Sequence, residues 1–171
     1  MLHIYCGNGK GKTTAAMGLI LRAVGFGMKV LLVQFLKDNS SNEIKSLSML
    51  PNVKFLHRAG VEKFTFMMSD EEKKLRKIDY TKLLESAGQI CEKQDINLLV
   101  LDEVVRACNT GIIEEAKLLE FLKTRPKTLE IVITGTHPSD QLLELADYVS
   151  EIVKRKHPYD SGVGAREGIE Y

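Results

Sequence analysis

The residues best suited to chemistry stand near the amino terminus, where Gly7-Asn8-Gly9-Lys10-Gly11-Lys12-Thr13-Thr14 separates a short apolar run from a segment of helical period. Glycines at this density let successive backbone N–H groups turn toward one centre, and the positive end of the following helix points at the same place. Such a loop suits phosphate. Lys12 would bring a mobile positive charge to a phosphate chain, and the Thr13 hydroxyl is a suitable ligand for Mg²⁺ or Mn²⁺. Set against G-x-x-x-x-G-K-[ST], Gly11-Lys12-Thr13 fits, but the first glycine of the pattern falls at Cys6, so Gly7 builds the turn one residue later. The candidate nucleotide contacts are Gly7, Asn8, Gly9, Lys10, Gly11, Lys12, Thr13 and Thr14.

A second element carries acids. Leu98-Leu99-Val100-Leu101 is a buried-strand pattern that ends in Asp102-Glu103. Parallel strands deliver their C-terminal ends to one crevice, so an acid at such an end can hold the metal of a bound nucleotide or its water. Asp102 is the expected metal-side carboxylate, with Glu103 a second ligand or a water-polarising group, both at a strand end expected to face solvent. Thr134-Gly135 closes another strand pattern and reaches the same crevice by topology, which makes it a further candidate nucleotide contact. Elsewhere the chemistry is sparse. His3, His57 and His137 have no partner at metal-ligand spacing, Cys6, Cys91 and Cys108 form no CxxC pair, and no Ser-His-Asp or Cys-His set stands out. Three reduced thiols, two of them in the core, are expected.

The elements that must position these groups follow from periodicity. Strand-length apolar runs at 2–6, 30–35, 53–56, 98–101, 129–134 and 149–153 alternate with helix patterns at 13–24, 70–93, 113–123 and 140–146. Most of the strands are apolar on both faces, as in a buried parallel sheet. The 70–93 helix opens on a capping box, Ser69 and Glu72, and its apolar face reads as Leu75, Ile78, Leu83, Ala87, Ile90 and Cys91. The alternation predicts an α/β domain with a mostly parallel central sheet flanked by helices, spanning 1–171, and together with the glycine loop it suits the phosphate-loop, RecA-like type. Residues 38–48 and 58–68 read as loops, and 156–171 as an irregular C-terminal tail.

The 171 residues bear 24 basic and 23 acidic side chains, a net charge of +1, so no general basic grip on nucleic acid or membrane is expected and any polyanion site must be local. Met1 leads straight into a strand pattern, without the basic and apolar segments of a removable leader, and no run is long enough to span a bilayer. A cytoplasmic protein is expected.

With these residues in view, the chain closely resembles the ATP:corrinoid adenosyltransferases of the phosphate-loop type. The likeness runs through the glycine loop to Ala15-Ala16, Val33-Gln34-Phe35-Leu36-Lys37, Leu101-Asp102-Glu103, Arg125-Pro126, Ile133-Thr134-Gly135, Leu145-Ala146-Asp147 and the ending Lys156-His157-Pro158-Tyr159-Asp160 with Gly168-Ile169-Glu170-Tyr171. The resemblance implies that a reduced corrinoid, Co(I), attacks the 5′ carbon of ATP and expels triphosphate, so that no protein nucleophile or base is needed. It implies ATP and a corrinoid as substrates, Mg²⁺ or Mn²⁺ as cofactor, an electron donor for Co(II), and a homodimer. It also implies a loop beneath the corrin in which Phe64 and Phe66 crowd the lower face of cobalt, Phe66 standing where the family has tryptophan; Lys12, Phe64 and Phe66 are then the catalytic candidates. Thr136 stands where the family has arginine. Two other classes suit the same elements: a small kinase or ATPase, and a nucleotide-gated assembly module of the RecA type.

Overall fold

The computed structural model describes residues 1–37, 41–58 and 67–170. Its strands are β1 (Leu2–Cys6), β2 (Val30–Gln34), β3 (Val53–His57), β4 (Leu98–Asp102), β5 (Glu130–Thr134) and β6 (Tyr148–Glu151). They form one six-stranded sheet in the order β3-β2-β4-β5-β1-β6, and every pairing is parallel. Parallel neighbours need crossovers, and the connections carry helices α1 (Lys12–Gly25), α2 (Asn42–Leu47), α3 (Asp70–Lys93), α4 (Val104–Asn109), α5 (Glu115–Thr124) and α6 (Asp140–Leu145). The α/β class and its parallel sheet are those the alternating pattern predicts.

Side-chain alternation along the strands divides the core into two layers. Val30, Leu32, Leu98, Val100 and Val132 meet Ala16, Met17, Ile20 and Ala23 of α1 and Leu47 of α2 on one face. Leu31, Val33, Leu99, Leu101, Ile131 and Ile133 meet α3, α4, α5 and α6 on the other. The central strands β2 and β4 are buried throughout, whereas all four residues of β6 are exposed. Full burial on both faces therefore holds for the middle of the sheet and fails at its edge. The Arg125 and Asp147 pair stands at the opposite end from the glycine loop: the Asp147 carboxylate accepts the Leu2 N–H at 2.6 Å and faces the Arg125 guanidinium at 3.5 Å. These residues tie down the start of β1.

Two short helices lie where none was expected. α2 falls inside 38–48, anchored by buried Leu47, and α4 begins directly after Glu103. Each is six residues, too short for periodicity to register. In α3 the capping box forms as predicted, Ser69 N–H donating to Glu72 at 2.9 Å and Glu72 N–H to Ser69 at 3.2 Å. The inward face differs, however. Leu75 and Ile78 are exposed, and the buried row is Arg76, Tyr80, Leu83, Leu84, Ala87 and Cys91. The helix turns to bury Tyr80, a large apolar body whose polar tip finds a partner. Tyr80 packs on Phe35 with ring centroids 5.5 Å apart and accepts the Leu36 N–H at 2.9 Å. Leu36 has a left-handed backbone, φ 54°, so the chain leaving β2 bends sharply here and delivers Lys37 toward the end of β4. Replacing Tyr80 by Phe keeps the packing and removes the acceptor for Leu36; it should lower unfolding stability by about 1 kcal/mol. Denaturant titration checks this, and an unchanged midpoint would mean that the turn is held by other contacts.

Candidate active site

The site grows out of strand register. Gln34 pairs with Asp102 across β2 and β4, and Leu101 pairs with Ile133 across β4 and β5, which sets Thr134 beside Asp102 in the next step. Gln34, Asp102 and Thr134 share the parity of Leu32, Val100 and Val132, so all three point to the α1 face at the C-terminal ends of adjacent strands. There they meet the first turn of α1, and the result is a network centred on Asp102. Its Oδ1 accepts from the Thr13 hydroxyl at 2.9 Å and the Thr134 hydroxyl at 2.7 Å; its Oδ2 accepts from the Gln34 amide at 3.3 Å and the Lys37 ammonium at 2.7 Å.

Asp102 is fully buried, not solvent-facing as expected, and Thr134 is buried behind it. Thr134 is therefore occupied in holding Asp102; its Oγ1 also accepts the Glu103 N–H at 2.8 Å, and the side chain is not open to a nucleotide. Gly135 serves a close approach, since a Cβ there would stand 2.8 Å from the Arg106 nitrogen at the start of α4. Glu103 has a left-handed backbone, φ 64°, which costs a non-glycine residue about 1–2 kcal/mol. This turn lets α4 start immediately and keeps Glu103 at the crevice. Burial, then the Asp102 carboxylate, hold the Glu103 carboxyl above the usual carboxylate range, against the pull of Arg106, Lys37 and Lys12.

Lys37 carried no assigned role in the sequence, yet it makes an ion pair of 2.7 Å to Asp102 and stands 3.5 Å from Glu43 of α2. Burial by itself would lower its pKa; the neighbouring Asp102, with Glu43 and Glu103, more than reverses that and raises it. Lys37 lies two residues past a strand end, next to a leucine in a backbone conformation that leucine rarely adopts. No local sequence signal marks such a turn.

The glycine loop lies between β1 and α1, braced from behind by the segment following β6. Gly9 N–H donates to the Ile152 carbonyl at 2.7 Å, Ile152 N–H to Cys6 at 2.9 Å, and Lys154 N–H to the Asn8 side chain at 2.8 Å. A Cβ on Gly9 would sit 2.8 Å from the Ile152 oxygen, and one on Gly7 would overlap it. These two glycines are required by that close approach. Lys12 donates back to the Gly9 carbonyl at 2.8 Å, curling its ammonium over the loop, and Gly11 caps α1 without a side chain. Lys10 faces outward to Glu170 of the tail at 3.3 Å. Thr14 lies in the exposed first turn of α1. Phe64 and Phe66 lie outside the described residues.

The donor set fits a divalent cation. Thr13, Asp102 and Glu103 offer oxygen only, the choice of Mg²⁺ and Mn²⁺, and the Lys37 ammonium on Oδ2 marks the place as one that draws positive charge. Two carboxylates and a hydroxyl do not complete an octahedron, so phosphate or water oxygens would have to share the shell. The thiols do not compete: burial pushes Cys91 up to about 11 and Cys108 up to about 12. Cys6 and Cys91 are buried, as expected of two of the three thiols.

A parallel sheet with β5 inserted between the glycine-loop strand and the acidic strand, and a loop, a hydroxyl and a buried carboxylate converging at their C-terminal ends, defines a phosphate-loop nucleotide-binding protein. The fold itself is shared with a solved KaiC-like protein from Pyrococcus horikoshii, which superposes with a TM-score of 0.59 at 15% identity, covering 91% of this chain and 73% of that one. The family model described as ATP:corrinoid adenosyltransferase BtuR/CobO/CobP matches residues 1–171, and the chain belongs to that family. The corrinoid adenosyltransferases of Pseudomonas aeruginosa and of Escherichia coli K12 are each 34% identical over the whole of this chain, covering 83% and 85% of those proteins. The chain is thus a transferase that moves an adenosyl group from ATP to a corrinoid.

The raised Glu103 pKa makes stability depend on pH. A carboxyl that holds its proton more tightly folded than unfolded costs stability as pH rises from its ordinary value, near 4.3, through the folded one. Glu103→Gln escapes that loss. It should be more stable than the parent near pH ~7, the difference shrinking as pH falls and vanishing below about pH 4. Urea unfolding across that range checks it; a difference independent of pH would assign the effect to something other than ionisation.

Proposed function

We propose that residues 1–171 act as one adenosyltransferase domain in which Co(I) of a reduced corrinoid attacks the 5′ carbon of ATP. The cobalt–carbon bond forms with the metal's electron pair, the carbon–oxygen bond breaks, and its pair leaves on triphosphate. The observation that carries this reading is a family match along the full chain, joined to a site rich in charge-stabilising groups. Since the nucleophile belongs to the substrate, the protein's task is alignment and neutralisation of the leaving group. Lys12 and backbone N–H groups between Gly7 and Thr14, other than that of Gly9, which the Ile152 carbonyl takes, would hold the triphosphate, with the adenosine directed away from the loop toward the corrin. Mg²⁺ or Mn²⁺, held by Thr13, Asp102 and Glu103, would add positive charge against the same phosphate oxygens. The backbone next to Gly135 would line the nucleotide's side of the crevice, with Thr134 keeping Asp102 in place. An electron donor for Co(II), a homodimer and a cytoplasmic location complete the proposal. No helix among the described residues is long and apolar enough to cross a membrane.

The deciding experiment mixes the protein with ATP, Mg²⁺ and chemically reduced cobalamin in the absence of oxygen. A light-sensitive alkylcobalt product together with triphosphate is expected; ADP in its place would indicate a kinase or ATPase. In the same assay Lys12→Ala should lower turnover by at least about a hundredfold, as for loss of a principal electrostatic stabiliser. Near-normal turnover would remove the loop from the triphosphate site. Phe64 and Phe66 are proposed to keep axial ligands from the lower face of cobalt. The wild-type protein with ATP should therefore shift the paramagnetic resonance spectrum of Co(II) cobalamin toward a four-coordinate form. The double alanine variant should lose that shift but still alkylate ready-made Co(I). Identical spectra would make the aromatic pair ordinary packing.

A further inference from the structure

All four lone-pair directions of Asp102 are engaged, so a divalent cation cannot bind this carboxylate without displacing a partner. Three of the partners cannot leave cheaply. Thr134 is fully buried and also holds the Glu103 N–H, Gln34 is 3% exposed, and Thr13 is fixed by the first turn of α1. The fourth can. Lys37 stands on a flexible four-carbon stem, its side chain is 22% exposed, and Glu43, itself partly exposed, waits 3.5 Å from its ammonium as an alternative partner. The place it occupies on Oδ2 is the open side of a carboxylate otherwise clamped by neutral groups.

We propose that Lys37 is the resident cation of the metal site: a positioning residue that compensates and aims Asp102 while no nucleotide is bound, and exchanges with the divalent metal when metal and ATP arrive. The proposal rests on the reading that the metal binds at Thr13 and Asp102. The exchange conserves charge locally, because the ammonium leaves Asp102 as the metal enters and turns toward Glu43 and the incoming phosphates. An ammonium and a divalent cation sharing one carboxylate in a buried site would repel strongly, so simultaneous occupancy is disfavoured. The site thereby stays ordered without metal, and metal binds weakly until the nucleotide's negative charge arrives with it.

The test measures Mn²⁺ affinity by paramagnetic resonance, without nucleotide, for the wild-type protein, Lys37→Met and Asp102→Asn. Lys37→Met should bind Mn²⁺ at least about tenfold more tightly, the size of an ordinary coupling between two sites, and Asp102→Asn at least about tenfold more weakly. A double-mutant cycle on urea unfolding, run with the same two substitutions, should show strong coupling between Lys37 and Asp102 in the free protein and little in protein saturated with Mn²⁺ and ATP. Should Lys37→Met fold poorly, Lys37→Gln, which can still donate to Asp102 without charge, takes its place in both measurements. If removal of Lys37 leaves Mn²⁺ affinity unchanged or weaker, or if the coupling persists in the loaded protein, Lys37 is a fixed structural partner and the exchange does not occur. If instead Asp102→Asn binds Mn²⁺ as the parent does, the metal lies elsewhere and the exchange falls with that assignment.

Discussion

A single buried carboxylate organises this protein. Asp102 lies out of reach of water, where an uncompensated charge is costly, and it draws its compensation from four separate pieces of chain: the glycine-loop helix, the ends of β2 and β5, and the turn after β2. Each of those pieces must arrive in register for the charge to be satisfied. Of the strained or costly features nearby, the left-handed Leu36 serves that requirement by delivering Lys37, while the left-handed Glu103 and the tightly packed Gly135 let α4 lie close beside it.

What could be read from the sequence divides along the same line. The glycine loop, the acidic strand end, the α3 capping box and the alternation of strands with helices depend on local spacing, and local spacing is visible. Asp102 was visible as a type but not as a burial state, because whether a strand end faces water depends on which strands flank it. Gln34 and Thr134 on the flanking strands, with Thr13 and Lys37, cover it. Lys37 was hidden for a related reason. Its position depends on the left-handed turn at Leu36, pinned by the hydroxyl of Tyr80, 44 residues away along the chain. The misread face of α3 is the same fact seen from the helix side: counting only Leu, Ile, Ala and Cys omitted the aromatic residue that sets its rotation.

The chemistry that the family assigns fits a site with this economy. An enzyme whose substrate supplies the nucleophile has no need of a reactive thiol, and the pKa values of Cys91 and Cys108 are driven up rather than down. What the site concentrates instead is charge of both signs: Lys12 and Lys37 against Asp102 and Glu103. Such an arrangement suits a polyanion, and it asks the protein for geometry more than for reactivity.

The brace behind the glycine loop has a consequence for how the molecule is made. Residues 7–9 are made well before the Ile152 carbonyl against which they are shaped, and both sheet neighbours of β1, namely β5 and β6, follow β2, β3 and β4 in the chain. During synthesis β1 must therefore wait unpaired while β2, β3 and β4 can already associate. Contacts so distant in sequence slow folding and leave apolar strand edges open in the interval. A nascent chain therefore carries β1 as its least protected strand until β5 has emerged, so chaperone demand should concentrate on that strand.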